Sequence, residues 1–251
     1  MNELSAVLSF IGLALLVLVA ARLGKTALFV LSSTFIIVSN ITVQMPVTVF
    51  GVDISWAIII YSMVYFITDI LCEYHGKTSG YRLAATNLAV QVILWAYVWA
   101  SLQVIPVDAG KDVYQTMQKL FGTTAQITFA AVVASAGPFL DIYVFSWIRH
   151  KWDLIAHRHI NEKTALSSLF QNRLFSLVAR NKLSTFAGQI LNTVIFFSLA
   201  LFDTGTPTET LVSIIASASV IKVVIAMADI PFLLAAERFL DLRKHASGAH
   251  L

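Results

Sequence analysis

The chain has 251 residues, of which 58% are hydrophobic and only 12% charged, with a mean hydropathy of +0.79; soluble domains carry about a quarter charged residues, so a soluble globular domain is excluded. A net charge of +3, with the basic residues gathered in a few connections, excludes the broad basic face that nucleic acid requires. The single cysteine, Cys72, excludes an internal disulfide and any CxxC motif.

A membrane-spanning helix needs about 20 mainly apolar residues. Segments 4–22, 26–50, 53–72, 83–104, 125–148, 183–202 and 209–236 meet that need, and none of the connections between them is long enough for a soluble domain. The first lacks a preceding basic stretch and a cleavage site, so it reads as a retained helix rather than a signal peptide. Alternation with period two is absent, which excludes a closed β-barrel and predicts an all-α polytopic bundle. Between spans four and five, Val113, Met117, Leu120 and Phe121 recur at helical spacing and predict a short helix on the outer membrane surface. The connection 149–182 is the longest, and its basic and histidine content suits anionic headgroups. His157-x-His159, without cysteine or an acidic pair nearby, is too weak a pattern for a metal, and no cofactor is expected.

Lysine and arginine stay on the cytoplasmic side. With the N-terminus outside, 14 of the 17 fall in inner segments; Lys111 and Lys119 are outer and Lys222 lies within the last span. The C-terminus is then cytoplasmic and the expected location is the inner (cytoplasmic) membrane.

Within the spans, several polar residues stand where hydrocarbon makes them costly. Asp69 lies near the inner end of span three, with Glu73 one helical turn beyond it on the same face. Asp141 follows Gly137-Pro138 in span five, where proline is expected to break the helix. Span six carries Gln189 and Asn192, span seven Lys222 and then Asp229 before Pro231, and span two Asn40 and Gln44. Ionisable groups at such depth face a bundle interior and mark substrate or ion paths. Lys222 and Asp229 are about 10.5 Å apart along a helix, too far for a direct pair, so Lys222 is expected to pair with Asp141 or Asp69. Plainer readings exist for most of these residues. Asp69 and Glu73 are near enough to the boundary to pair with Lys77 or Arg82, while Arg180 and Lys182 read as topology charges. Gln189, Asn192, Asn40 and Gln44 read equally as interhelical hydrogen-bond glue. Asp141 and Lys222 resist such explanations. Tyr143 and Phe139 belong with the aromatics that pack or form interface belts, a minority of which line sites.

The stretches Ser39-Asn40-Ile41-Thr42-Val43-Gln44-Met45-Pro46, Thr68-Asp69-Ile70 to Glu73 with Gly76-Lys77, Leu140-Asp141-Ile142-Tyr143-Val144-Phe145 with Arg149, Leu183-Ser184-Thr185-Phe186 to Gln189 with Phe196-Phe197, and Ile221-Lys222-Val223-Val224 to Ile230-Pro231 occur in one order. Together they resemble the bacterial queuosine precursor transporters, over roughly residues 26–240. The resemblance implies a six-helix core like the substrate-binding subunits of energy-coupling factor transporters, with residues 1–25 as an additional N-terminal helix and 241–251 as a cytoplasmic tail. It also implies import of 7-deazaguanine bases, in the 7-cyano or 7-aminomethyl form, for tRNA queuosine modification. The partners implied are that small base and the lipid bilayer, with a homodimer allowed. A carboxylate from Asp69, Glu73 or Asp141 would accept the paired donors of a guanine-like edge, Gln189 or Asn192 would read its carbonyl, and Tyr143 or Phe139 would stack on the ring. Lys222 would balance charge or, like Asp229, serve coupling. The chain departs from the family pattern at Asn192, Pro138 and Tyr74-His75, where aspartate, glutamine and Val-Tyr are common. A binding subunit dependent on a separate ATPase is the second reading. A membrane enzyme is not expected, because HExxH and GxSxG are absent and Glu73 with His75 is the one acid/base pair.

Overall fold

A computed structural model describes residues 1–43, 45–121, 129–130, 132–158, 173–201, 205 and 207–246. Its elements are α1 (Asn2–Leu23), α2 (Lys25–Thr42), strands β1 (Pro46–Val49) and β2 (Val52–Ser55), α3 (Ala57–His75), α4 (Lys77–Ser101), α5 (Lys111–Phe121), α6 (Ala136–Arg158), α7 (Arg173–Ala200), α8 (Thr208–Ala228) and α9 (Ile230–Ala246). Among the described residues, six helical stretches are long and apolar enough to cross a membrane: α1, α2, α3, α4, Leu177–Ala200 of α7, and Thr208–Leu240 across α8 and α9. This is a polytopic all-α membrane architecture.

Helix α3 forms the axis of the bundle. Its apolar residues recur on every side, as expected of a helix surrounded by others, and Met63, Val64, Phe66, Ile67, Ile70 and Leu71 are all buried. It touches α1, α2, α4, α6, α8 and α9. Around it, α1 turns Ala14, Val17, Ala20 and Ala21 inward and leaves Leu4, Leu8, Leu15 and Leu16 exposed. The small inward residues allow close approach, which matters in a membrane because dispersion and shape, not water exclusion, hold helices together. Phe10 of α1 meets Phe232 of α9 edge to face at 5.8 Å. A buried polar clasp joins α4 to α2, where Asn87 Nδ2 donates to Ser32 Oγ at 2.9 Å.

Four expectations are corrected by the backbone. Span two does not continue to residue 50: α2 ends at Thr42, and Pro46–Ser55 form an antiparallel hairpin pairing Val47 with Ile54 and Val49 with Val52. Phe50 (φ 51) and Gly51 (φ 76) make its two-residue turn, with positive φ at both central positions as tight hairpins require. Gly51→Ala should therefore cost about 1 kcal/mol, read as a lower midpoint of thermal unfolding. Span seven is two helices, because the chain turns at Asp229 and Pro231 lies in the first turn of α9, where its missing N–H leaves no bond unmade. The interruption near span five falls at Ser135, not at Pro138, which sits in the first turn of α6 for the same reason. Finally, α7 begins at Arg173, ten residues ahead of the expected start, so Lys182 lies within a helix. The short surface helix is present as α5, with Val113 and Met117 exposed and Tyr114 Oη donating to Leu102 O at 2.6 Å.

Candidate functional site

The polar residues of the bundle separate into two layers, and α3 and α7 contribute to both. Nearer the hairpin are Tyr61 of α3, Ala134, Asn192 of α7 and Lys222 of α8; seven to ten residues along the chain from these are Asp69 of α3, Asp141 of α6, Lys182 with Thr185 of α7, and Asp229 at the end of α8. Within α3 and α7, spacings of seven to ten residues put the layers about 10.5–15 Å apart.

The layer away from the hairpin is a buried charge cluster. Asp69, Asp141, Lys182 and Asp229 are each at most 4% exposed. The Lys182 ammonium bonds Asp229 Oδ1 and lies 3.7 Å from Asp69 Oδ2. Thr185 Oγ1 donates to the same Asp69 carboxylate, 3.2 Å from each oxygen. Asp141 faces this group beside Ser184, and its Oδ1 has no hydrogen-bond partner among the described residues. Both polar side-chain atoms of buried Asn181 and Oε1 of Gln189 are likewise unpartnered. Lys182 ties α7 to α3 and to the α8–α9 turn at once. Its reading as a topology charge is corrected: it is the counter-ion of two buried carboxylates.

The layer beside the hairpin surrounds a cavity of about 70 Å³. Its polar lining comes from Ser39, Asn40, Ser55, Tyr61, Gln91, Asn192 and Lys222, with Phe196 and Phe197 among the apolar walls. Lys222 Nζ donates to Asn192 Oδ1 at 3.0 Å and Thr193 Oγ1 at 2.9 Å, and sits 5.6 Å from the Tyr61 ring centre. Asn192 Nδ2 donates to Tyr61 Oη at 3.1 Å and to Ala134 O at 2.9 Å. Asn40 Nδ2 donates to Ile36 O at 2.8 Å, which leaves its Oδ1 as an acceptor at the cavity. The expected pairing of Lys222 with Asp141 or Asp69 is corrected, because its partners are an amide and a hydroxyl on α7.

The two layers meet where α6 crosses α7. A Cβ added to Gly137 would lie 2.7 Å from Gly188 O and 2.8 Å from Tyr65 Oη; one added to Gly188 would lie 2.7 Å from Asp141 Cβ. Both positions need glycine for that approach.

The predicted site residues therefore fall in different places. Asn40, Asn192 and Lys222 meet at the cavity; Asp69, Asp141 and Asp229 meet around Lys182; Gln189 lies between the layers. Glu73 is half-buried at the end of α3, and Asp69 is turned to Thr185 and Lys182. Tyr143 is 62% exposed on the outer face of α6. Gln44 and His159 lie outside the described residues. Sequence reasoning missed Gln91, Thr185, Thr193 and Lys182. For Thr185 and Thr193 a signal existed, since 185, 189, 192 and 193 share one helical face.

A helical membrane bundle that surrounds a polar cavity at its core, with buried charge below it, has the design of a small-molecule transporter. The chain belongs to the family described as "Putative vitamin uptake transporter", whose model matches residues 55–236. It is 27% identical over 160 residues, 62% of this chain and 69% of the relative, to a "Probable queuosine precursor transporter" of Bacillus subtilis (strain 168). No solved structure gives a significant match.

Proposed function

We propose that this protein imports queuosine precursors, 7-deazaguanine bases, across the cytoplasmic membrane, and that the cavity between α2, α3, α4, α7 and α8 is where the base binds. The observation that carries this reading is the cavity lining itself. Amides at Asn40, Gln91 and Asn192, hydroxyls at Ser39 and Tyr61, an ammonium at Lys222 and the rings of Phe196 and Phe197 suit a planar heterocycle with donors and acceptors along its edge. Lys222 has three N–H donors and spends two on Asn192 and Thr193, so one remains for a carbonyl or ring nitrogen. The name of the Bacillus relative supports the choice of substrate class. The distribution of lysine and arginine supports an outer N-terminus and a cytoplasmic C-terminus. Residues 26–240 would form the transport core, with α1 as an additional helix that packs on α2, α3 and α9.

In this reading the Asp69–Lys182–Asp229 cluster holds the elements on which access alternates, rather than touching the base. Uptake of a labelled 7-deazaguanine base by cells expressing the chain tests the function. Lys222→Ala and Asn40→Ala should each lower uptake about tenfold or more at equal membrane abundance, the loss of a charge-assisted or buried hydrogen bond. Tyr143→Ala, outside the cavity, should leave it within twofold of the parent. Uptake by purified protein in liposomes excludes a subunit dependent on a separate ATPase.

A further inference from the structure

The cavity lining contains one cation and, among the described residues, no carboxylate. Lys222 is 6% exposed; it donates hydrogen bonds to the Asn192 amide oxygen and the Thr193 hydroxyl, and its ammonium lies over the Tyr61 ring. Asp69 and Asp229 are engaged on Lys182. Asp141 lies one layer away, against Gly188. In its protonated form, Lys222 is a buried ammonium with no carboxylate partner among the described residues, and it creates a positive potential in the cavity it lines that a low-dielectric interior screens poorly.

We propose that Lys222 makes this cavity select a base that is uncharged, or bears an acceptor, at its 7-substituent, and reject one that carries an ammonium there. The proposal rests on the reading of the cavity as the base-binding site and deepens it. A nitrile or hydroxyl adds an acceptor that Lys222 tolerates or bonds; an aminomethyl cation places a second positive charge in the same enclosed space. Like-charge juxtaposition of this kind costs on the order of 100-fold in affinity. Asn192 is the position from which the preference can be reset, because its Oδ1 already touches the ammonium at 3.0 Å. A carboxylate there would neutralise Lys222 without changing the size of the side chain.

The test uses the full chain in proteoliposomes and three bases: 7-cyano-, 7-hydroxymethyl- and 7-aminomethyl-7-deazaguanine. The hydroxymethyl and aminomethyl compounds match in size and differ in charge, so the parent protein alone decides the main point. Labelled nitrile base should enter, and the hydroxymethyl base should compete at least tenfold better than the aminomethyl base. Asn192→Asp should shrink that ratio at least tenfold, and Lys222→Gln should shrink it as well. Equal competition by the two matched bases, or a ratio that neither variant moves, overturns the proposal while leaving base transport standing. If none of the three bases is bound or taken up, the base-site reading falls and the selectivity proposal falls with it.

Discussion

Lys182→Met is expected to be the most destabilising single change of a charged residue in the bundle. Removing the ammonium leaves Asp69 and Asp229, both about 2% exposed, without their counter-ion. Breaking a buried pair by deleting one partner costs about 3–5 kcal/mol, because the orphaned charge remains desolvated. For a chain of this length that is about 10 °C in the unfolding midpoint, taking roughly 2–4 °C per kcal/mol. The measurement is thermal unfolding of the detergent-purified protein. Lys151→Met, at an exposed position on α6, is the control and should shift the midpoint by no more than a degree or two. Removing the whole network in Lys182→Met with Asp69→Asn and Asp229→Asn should recover much of the loss, since a neutral cluster has no charge left to desolvate. If Lys182→Met unfolds no earlier than Lys151→Met, the cluster is not what joins α3, α7 and the α8–α9 turn.

That residue also shows where sequence reading stops. Asp69, Asp141 and Asp229 are legible because a carboxylate at membrane depth needs a partner. Lys182 is not, because a lysine just ahead of an apolar run is indistinguishable from a topology charge until the helix is known to start at Arg173. The depth of Lys222 is legible, whereas its partners on α7 depend on how two helices cross. The hairpin is hidden for a different reason. Apolar residues continue from α2 through Val47, Val49, Val52 and Ile54, and the turn is Phe50-Gly51 rather than the asparagine–glycine pair that announces such turns. Gln91 escapes notice because it stands alone among the apolar residues of the second half of α4, although its Oε1 accepts from Ser135 Oγ at the cavity. The predicted site thus contains residues from both layers, and only packing separates those that surround the cavity from those that hold the charge cluster.

The second large effect is expected at the crossing of α6 and α7. Gly188→Ala introduces a Cβ that would lie 2.7 Å from Asp141 Cβ and 2.9 Å from Gly137 O. Neither neighbour is the far end of a flexible side chain, so the helices must separate. Overpacking of this kind costs about 1–3 kcal/mol. Its consequence for transport should be larger than its consequence for stability. Asn192, one turn beyond Gly188, holds both Ala134 O and Tyr61 Oη, and a shift of α7 by a few tenths of an ångström lengthens both bonds and moves Lys222 with them. Uptake should fall tenfold or more in Gly188→Ala and be lost in Gly188→Leu, at a membrane abundance that remains measurable for the alanine variant. Gly137→Ala should behave alike, since its Cβ would lie 2.7 Å from Asn192 Cβ and from Gly188 O. Gly12→Ala on α1 provides the contrast. Nothing lies within 4 Å of that position, so the same substitution should stabilise the helix by about 0.5–1 kcal/mol and leave uptake unchanged. Opposite signs for one chemical change at two helical glycines would locate the mechanism in the approach of α6 to α7, the contact that keeps the cavity and the charge cluster in register.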